Sequence, residues 1–93
     1  MSRKTFIAWI TTGKPRAIGL DINVIIARIA EETGIQVERI TGHERIRAVV
    51  HARQAVILAC HRTGHSKAAI GRALGRDHTT VMHGIKAAMA RGG

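Results

Sequence analysis

Ninety-three residues are enough for one domain and too few for two. Apolar residues make up 45% of the chain, yet Phe6 and Trp9 are its whole aromatic complement, so a core must be built from Ile, Val, Leu, Ala and Met. Fifteen Lys and Arg against six Asp and Glu give a formal charge of +9, which favours an anionic partner such as DNA, RNA or an acidic membrane surface.

Residues 1–16 stand apart from the rest. Arg3, Lys4, Lys14 and Arg16 are basic, and Gly13-Lys14-Pro15-Arg16 breaks regular structure, which predicts a semi-ordered arm ahead of a domain over 17–93. Phe6, Ile7, Trp9 and Ile10 give this arm an apolar surface for packing on the domain or on a partner. Gly13-Lys14 is not a phosphate loop, because no glycine stands five residues earlier and no Ser or Thr follows Lys14. No nucleotide is therefore expected. The stretch from Phe6 to Ile10 is too short for a signal-peptide core, and no apolar run reaches the length of a membrane span.

Asp21 predicts an N-cap for a helix over 22–33, with Gly34 as its stop. Ile22, Ile25, Ile26 and Ile29 share one apolar face. A short helical turn is expected over 37–40. Residues 41–47 interrupt the apolar pattern and read as a basic loop. A long helix over 48–63 follows, with Ala52, Ala55, Val56, Ala59 and Cys60 on its buried face and Gly64 as its stop. Ser66 then caps a helix over 67–74 with Ala69, Ile70 and Leu74 inward, and Gly75 ends it. Asp77 caps a last helix over 78–90, with Val81, Ile85 and Met89 one turn apart on the inner face. The expectation is an all-α fold, a small helical domain of about five helices.

The last two helices and the glycine between them form a helix-turn-helix. In that motif the first residues of the second helix face base edges. Here they are Asp77, His78, Thr79 and Thr80. An aspartate accepts from the exocyclic amine of cytosine, a threonine methyl meets the methyl of thymine, and a histidine donates to guanine or to a phosphate. Arg45 and Arg47 lie in the basic loop, and Arg53, Arg62, Lys67, Arg72, Arg76, Lys86 and Arg91 lie on or beside helices. Arg47, Lys67 and Arg76 are assigned to phosphates. An Asp at a helix start is also a plain cap, and many surface cations are simply solvated. The motif and the charge together favour DNA.

Gly75-Arg76-Asp77-His78-Thr79-Thr80-Val81-Met82-His83 resembles the signature of the C-terminal DNA-binding domain (domain IV) of DnaA, the bacterial replication initiator. The resemblance extends back through Ala52-Arg53-Gln54 to the Ile-rich first helix and covers about residues 20–90. It implies a Trp-repressor-like helix-turn-helix fold. It also implies base readout in the major groove by Asp77, His78 and Thr79, and phosphate contact by Thr80, His83, Arg53 and Gln54. Arg45 falls where the family places an arginine in the minor groove. The chain departs from the pattern in a turn one glycine shorter, and in His61, Ala68 and Met82 where the family has Lys, Pro and Leu.

Nothing corresponds to the initiator's ATP-dependent assembly module, so the chain resembles stand-alone relatives of phage-like and gene-transfer-agent systems. That resemblance implies a cytoplasmic, nucleoid-associated transcription regulator that reaches RNA polymerase through a partner protein, with the arm at 1–16 as candidate docking segment. An origin-binding accessory factor in replication is the alternative, and an RNA- or protein-binding adaptor is the third reading. No enzyme chemistry is visible. His61 with His65, and His78 with His83, lack the spacing and the third ligand of a metal site, so no metal or cofactor is expected. Cys60 is the one cysteine and reads as core.

Overall fold

The computed structural model describes residues 20–92 and is all-α. The expected arm at 1–16 lies outside the described residues. The five helices are α1 (Ile22–Thr33), α2 (Val37–Thr41), α3 (Arg47–Arg62), α4 (Lys67–Leu74) and α5 (His78–Gly92). No strand interrupts them among the described residues, and none of these helices is long and apolar enough to cross a membrane.

Three of the expected caps form. Asp21 accepts from the Asn23 amide at 3.0 Å, Ser66 from Ala69 at 3.0 Å and Asp77 from Thr80 at 2.9 Å. Each satisfies a backbone N–H that the first turn of a helix leaves without a partner. Helix ends shift by one or two residues. α2 reaches Thr41, α3 starts at Arg47 and ends at Arg62, and α5 continues to Gly92.

α3 is the centre of the fold, and the other four helices all pack against it. Its burial is therefore wider than one stripe. Val49, Ile57 and Leu58 join the expected Ala52, Ala55, Val56, Ala59 and Cys60 in the core. Ile25, Ile26 and Ile29 cover it from α1, Ile40 from α2, Ile70 and Leu74 from α4, and Val81 and Ile85 from α5. Each fully buried Ile, Leu or Val contributes about 1.5–3 kcal/mol through apolar area removed from water. Two expectations are corrected. Met89 is 40% exposed and Ala88 takes the core place, because the face defined by Val81 and Ile85 turns toward position 88. Ala69 is half-buried rather than inward. Burial pushes the Cys60 thiol up to about 12, so it stays protonated inside the core.

The turn between α4 and α5 is closed by backbone. Gly75 is left-handed (φ 68°), its N–H donates to the Arg72 carbonyl at 3.4 Å, and Arg76 N–H donates to Gly71 at 2.8 Å. This pair of hydrogen bonds is the Schellman pattern. It brings the Arg76 main chain so close to Gly71 that a Cβ there would overlap the Arg76 carbonyl oxygen. Gly71→Ala must therefore shift backbone rather than a side chain. We expect it to destabilise the protein by about 2–3 kcal/mol in urea unfolding, while Ala68→Gly, on an exposed position of the same helix, costs about 1 kcal/mol.

Candidate nucleic-acid interface

The first turn of α5 is held from below and open above. Val81 is fully buried, whereas Asp77, His78, Thr79 and Thr80 are all exposed. The backbone turn before Asp77 fixes where the helix starts, and the buried valine fixes its rotation. Asp77 Oδ1 is committed to the Thr80 amide. The backbone N–H of Thr80 holds the Asp77 carboxyl below the usual carboxylate range, so it is ionised at neutral pH. Its charge stabilises the fold above the ordinary aspartate pKa of about 4. That contribution is lost as acid carries the carboxyl through its lowered value.

A second element faces solvent beside it. Arg45 and Ile46, in the segment joining α2 to α3, and Arg47, the first residue of α3, are exposed. Arg39 braces this segment by donating Nε and a terminal nitrogen to Glu44, at 2.9 and 2.8 Å. That hydrogen bond holds the Glu44 carboxyl below its usual range. His43, Glu44, Arg45, Val50, Arg53, Arg76 and Thr80 line one cleft, so the basic segment and the start of α5 share a rim.

The floor of that cleft differs from expectation. Arg53 is 8% exposed. It donates Nε to the Ile40 carbonyl at 2.7 Å and its terminal nitrogens to Glu44 and Arg39 at 3.1 and 3.2 Å. Arg76 is half-buried and donates to the carbonyls of Thr41 at 3.4 Å, Leu74 at 2.6 Å and Gly42. Both side chains therefore serve the carbonyl end of α2, where unpaired oxygens and the negative end of the helix dipole collect. Burial lowers both guanidinium pKa values, and Arg76 adds to the lowering at Arg53, yet an arginine this far above neutrality keeps its charge. Most of the donors of these two arginines, which the sequence assigns to phosphates, point inward. A guanidinium has five N–H donors, so a free edge remains, but both act first as internal staples.

The other candidate residues fall in different places. Arg47 is exposed at the start of α3, Lys67 is half-buried at the start of α4, and His83 is exposed on the second turn of α5. None of the three lines the cleft. Gln54 is half-buried, and its Oε1 is buried without a hydrogen-bond partner. His61 is half-buried in the last turn of α3. Burial, with Lys67 and Arg62 nearby, pushes its pKa down, so it adds no charge at neutral pH. Among the described residues no group of three or more His, Cys, Asp or Glu could hold a metal ion.

Sequence reasoning missed the staples, although a signal was present. Arg53 sits four residues after Val49 and three before Val56, on the buried face of α3. It also missed His65, which bonds the Leu20 carbonyl through Nε2 at 2.6 Å and ties the chain before α1 to the turn after α3.

The family described as the bacterial dnaA protein helix-turn-helix matches residues 22–87. A chromosomal replication initiator protein DnaA from Francisella tularensis subsp. novicida (strain U112) is 46% identical over 61 residues, covering 63% of this chain and 12% of its own length. That of Cereibacter sphaeroides (strain ATCC 17029 / ATH 2.4.9) is 40% identical over 67 residues, covering 70% of this chain and 15% of its own length. The chain thus spans between 12% and 15% of the length of these two relatives. No solved structure matches.

Arg53 separates an internal role from a phosphate role by a stability measurement. Arg53→Ala leaves buried carbonyls without donors and is expected to cost about 2–3 kcal/mol in the free protein. Arg53→Lys recovers little, because an ammonium cannot reach three diverging carbonyls. A purely phosphate-binding arginine would leave the unfolding midpoint unchanged.

Proposed function

Because this chain belongs to the bacterial DnaA helix-turn-helix family, we propose that it binds double-stranded DNA sequence-specifically, without catalysis, and acts as a transcription regulator. The observation that carries this reading is the exposed first turn of α5. A capped and glycine-tightened turn presents Asp77, His78 and Thr79 above a buried Val81. That turn reads base edges in the major groove. Thr80, His83, Lys67, Arg47 and Gln54 hold phosphates around it, joined by the remaining donors of Arg53 and Arg76. Arg45 reaches the minor groove from the exposed segment. These are side chains of the types that supply position through phosphates and identity through base edges.

One observation favours the alternative, an origin-binding accessory factor. The similar proteins carry the name replication initiator. A partner linking the chain to RNA polymerase, through residues 1–16, belongs to the regulatory reading. A cytoplasmic, nucleoid-associated location goes with either. A genome-wide map of bound sites separates the two, since promoters support regulation and a single origin-proximal cluster supports replication.

Selection of duplexes from a random pool tests the shared claim, and enrichment of a defined site is the expected result. Asp77→Ala is then expected to cost about 1–3 kcal/mol of preference for that site over random duplex, together with about 1 kcal/mol of fold stability from the lost cap. Asp77→Asn keeps the cap and moves preference from cytosine toward adenine at one position. An unchanged preference in both variants removes Asp77 from readout. Arg47→Ala weakens selected and random duplexes alike and reduces the slope of log affinity against log salt by about one unit.

A further inference from the structure

The segment between α2 and α3 carries a side chain that neither packing nor hydrogen-bonded readout uses. Ile46 is 56% exposed, more than any other large apolar residue among those described. It occupies the N-cap of α3, the longest helix, and no side chain closes that end. α1, α4 and α5 begin on Asp21, Ser66 and Asp77, each accepting from its own first turn. An isoleucine at this position forgoes that bond, since Ser, Thr, Asp and Asn are the residues that make it. The first turn of α3 has no acid and begins with Arg47, as α4 begins with Lys67. An apolar staple would use the position before the cap, and Arg45 is there. Ile46 thus stands exposed between two cations, at a cap position where three of the other four helices place a bonded side chain and only the short α2 does not.

We propose that Ile46 is an apolar wedge that enters the minor groove beside Arg45 and partly opens one base step, so that the protein kinks the duplex it binds. The inference rests on the duplex-binding reading above and adds to it. Proteins that work in the minor groove combine cations with an inserted Ile, Leu, Met or Phe that unstacks a step. Arg45 and Arg47 on either side supply the cations. Arg45, the chain neighbour of Ile46, shares a cleft rim with Thr80, so a duplex engaged by the first turn of α5 also meets this segment. Opening is easiest at flexible pyrimidine–purine steps. Ile46 therefore sets sequence preference at a position where no hydrogen bond is made.

Ile46→Ser tests this, because it installs the missing cap while removing the wedge. Wild type and variant are compared on a duplex that the wild-type protein has enriched from a random pool. Affinity is read by anisotropy, bend by energy transfer between the duplex ends, and unstacking by the fluorescence of 2-aminopurine placed at successive steps. The expected result is a higher Tm for the free variant, roughly tenfold weaker binding, the equivalent of one good base contact, and loss of both the bend and the fluorescence rise. Ile46→Leu retains most of all three DNA signals. Unchanged affinity, or weaker binding with the bend intact, overturns the wedge and leaves sequence-specific binding standing. If the wild type enriches no sequence, both readings fall together.

Discussion

Two guanidinium groups converge on one short run of main chain. Arg53 and Arg76 between them take the carbonyls of Arg39, Ile40, Thr41, Gly42 and Glu44. α2 is only five residues long, so nearly all its carbonyls lack a partner within the helix. Left unpaired beside the core, each would cost about 1–3 kcal/mol. Two arginines side by side repel, and that repulsion is tolerable here because the negative end of the helix and the Glu44 backbone lie between them. Lysine would not serve, since it offers a point charge where a planar fork of donors is needed.

This staple joins parts that the chain keeps far apart. Arg53 belongs to the central helix, Arg76 to the turn of the helix-turn-helix, and both grip the start of the basic segment. The position of Arg45 relative to the first turn of α5 is therefore set by the folded protein before any ligand arrives. Less ordering is left for the moment of binding, where it would subtract from affinity.

Close approach elsewhere follows from small residues. Ala52, Ala55 and Ala59 line the buried side of α3, and Gly84 of α5 sits against Ile57 so tightly that a Cβ would lie 2.7 Å from its Cδ1. Gly71 plays the same part against the turn. A chain with almost no aromatic residues builds its core by bringing helix axes together rather than by filling wide gaps. Asp77 shows a related economy at the surface, where an exposed carboxylate closes the first turn of its own helix.

Much of this was legible along the chain because the signals are local. Asp21, Ser66 and Asp77 start helices, Gly34 and Gly75 stop them, and the spacing of Ile25, Ile26 and Ile29 marks a buried face. A cap bonds within its own first turn, so its partner is always three residues away or fewer. The start of the last helix at Asp77 was legible from the same kind of signal. What the chain could not decide is which arginines face the solvent. Periodicity set Arg53 on the inner face of α3, but its charge argued against burial, and the carbonyls that reverse that argument come from residues nine to fourteen positions earlier. The outward turn of Met89 and the wide burial of α3 have the same origin. Local sequence chose helices, caps and turns, because those depend on neighbours in the chain. Tertiary structure chose which polar groups could go inside, because that depends on partners brought together only by folding.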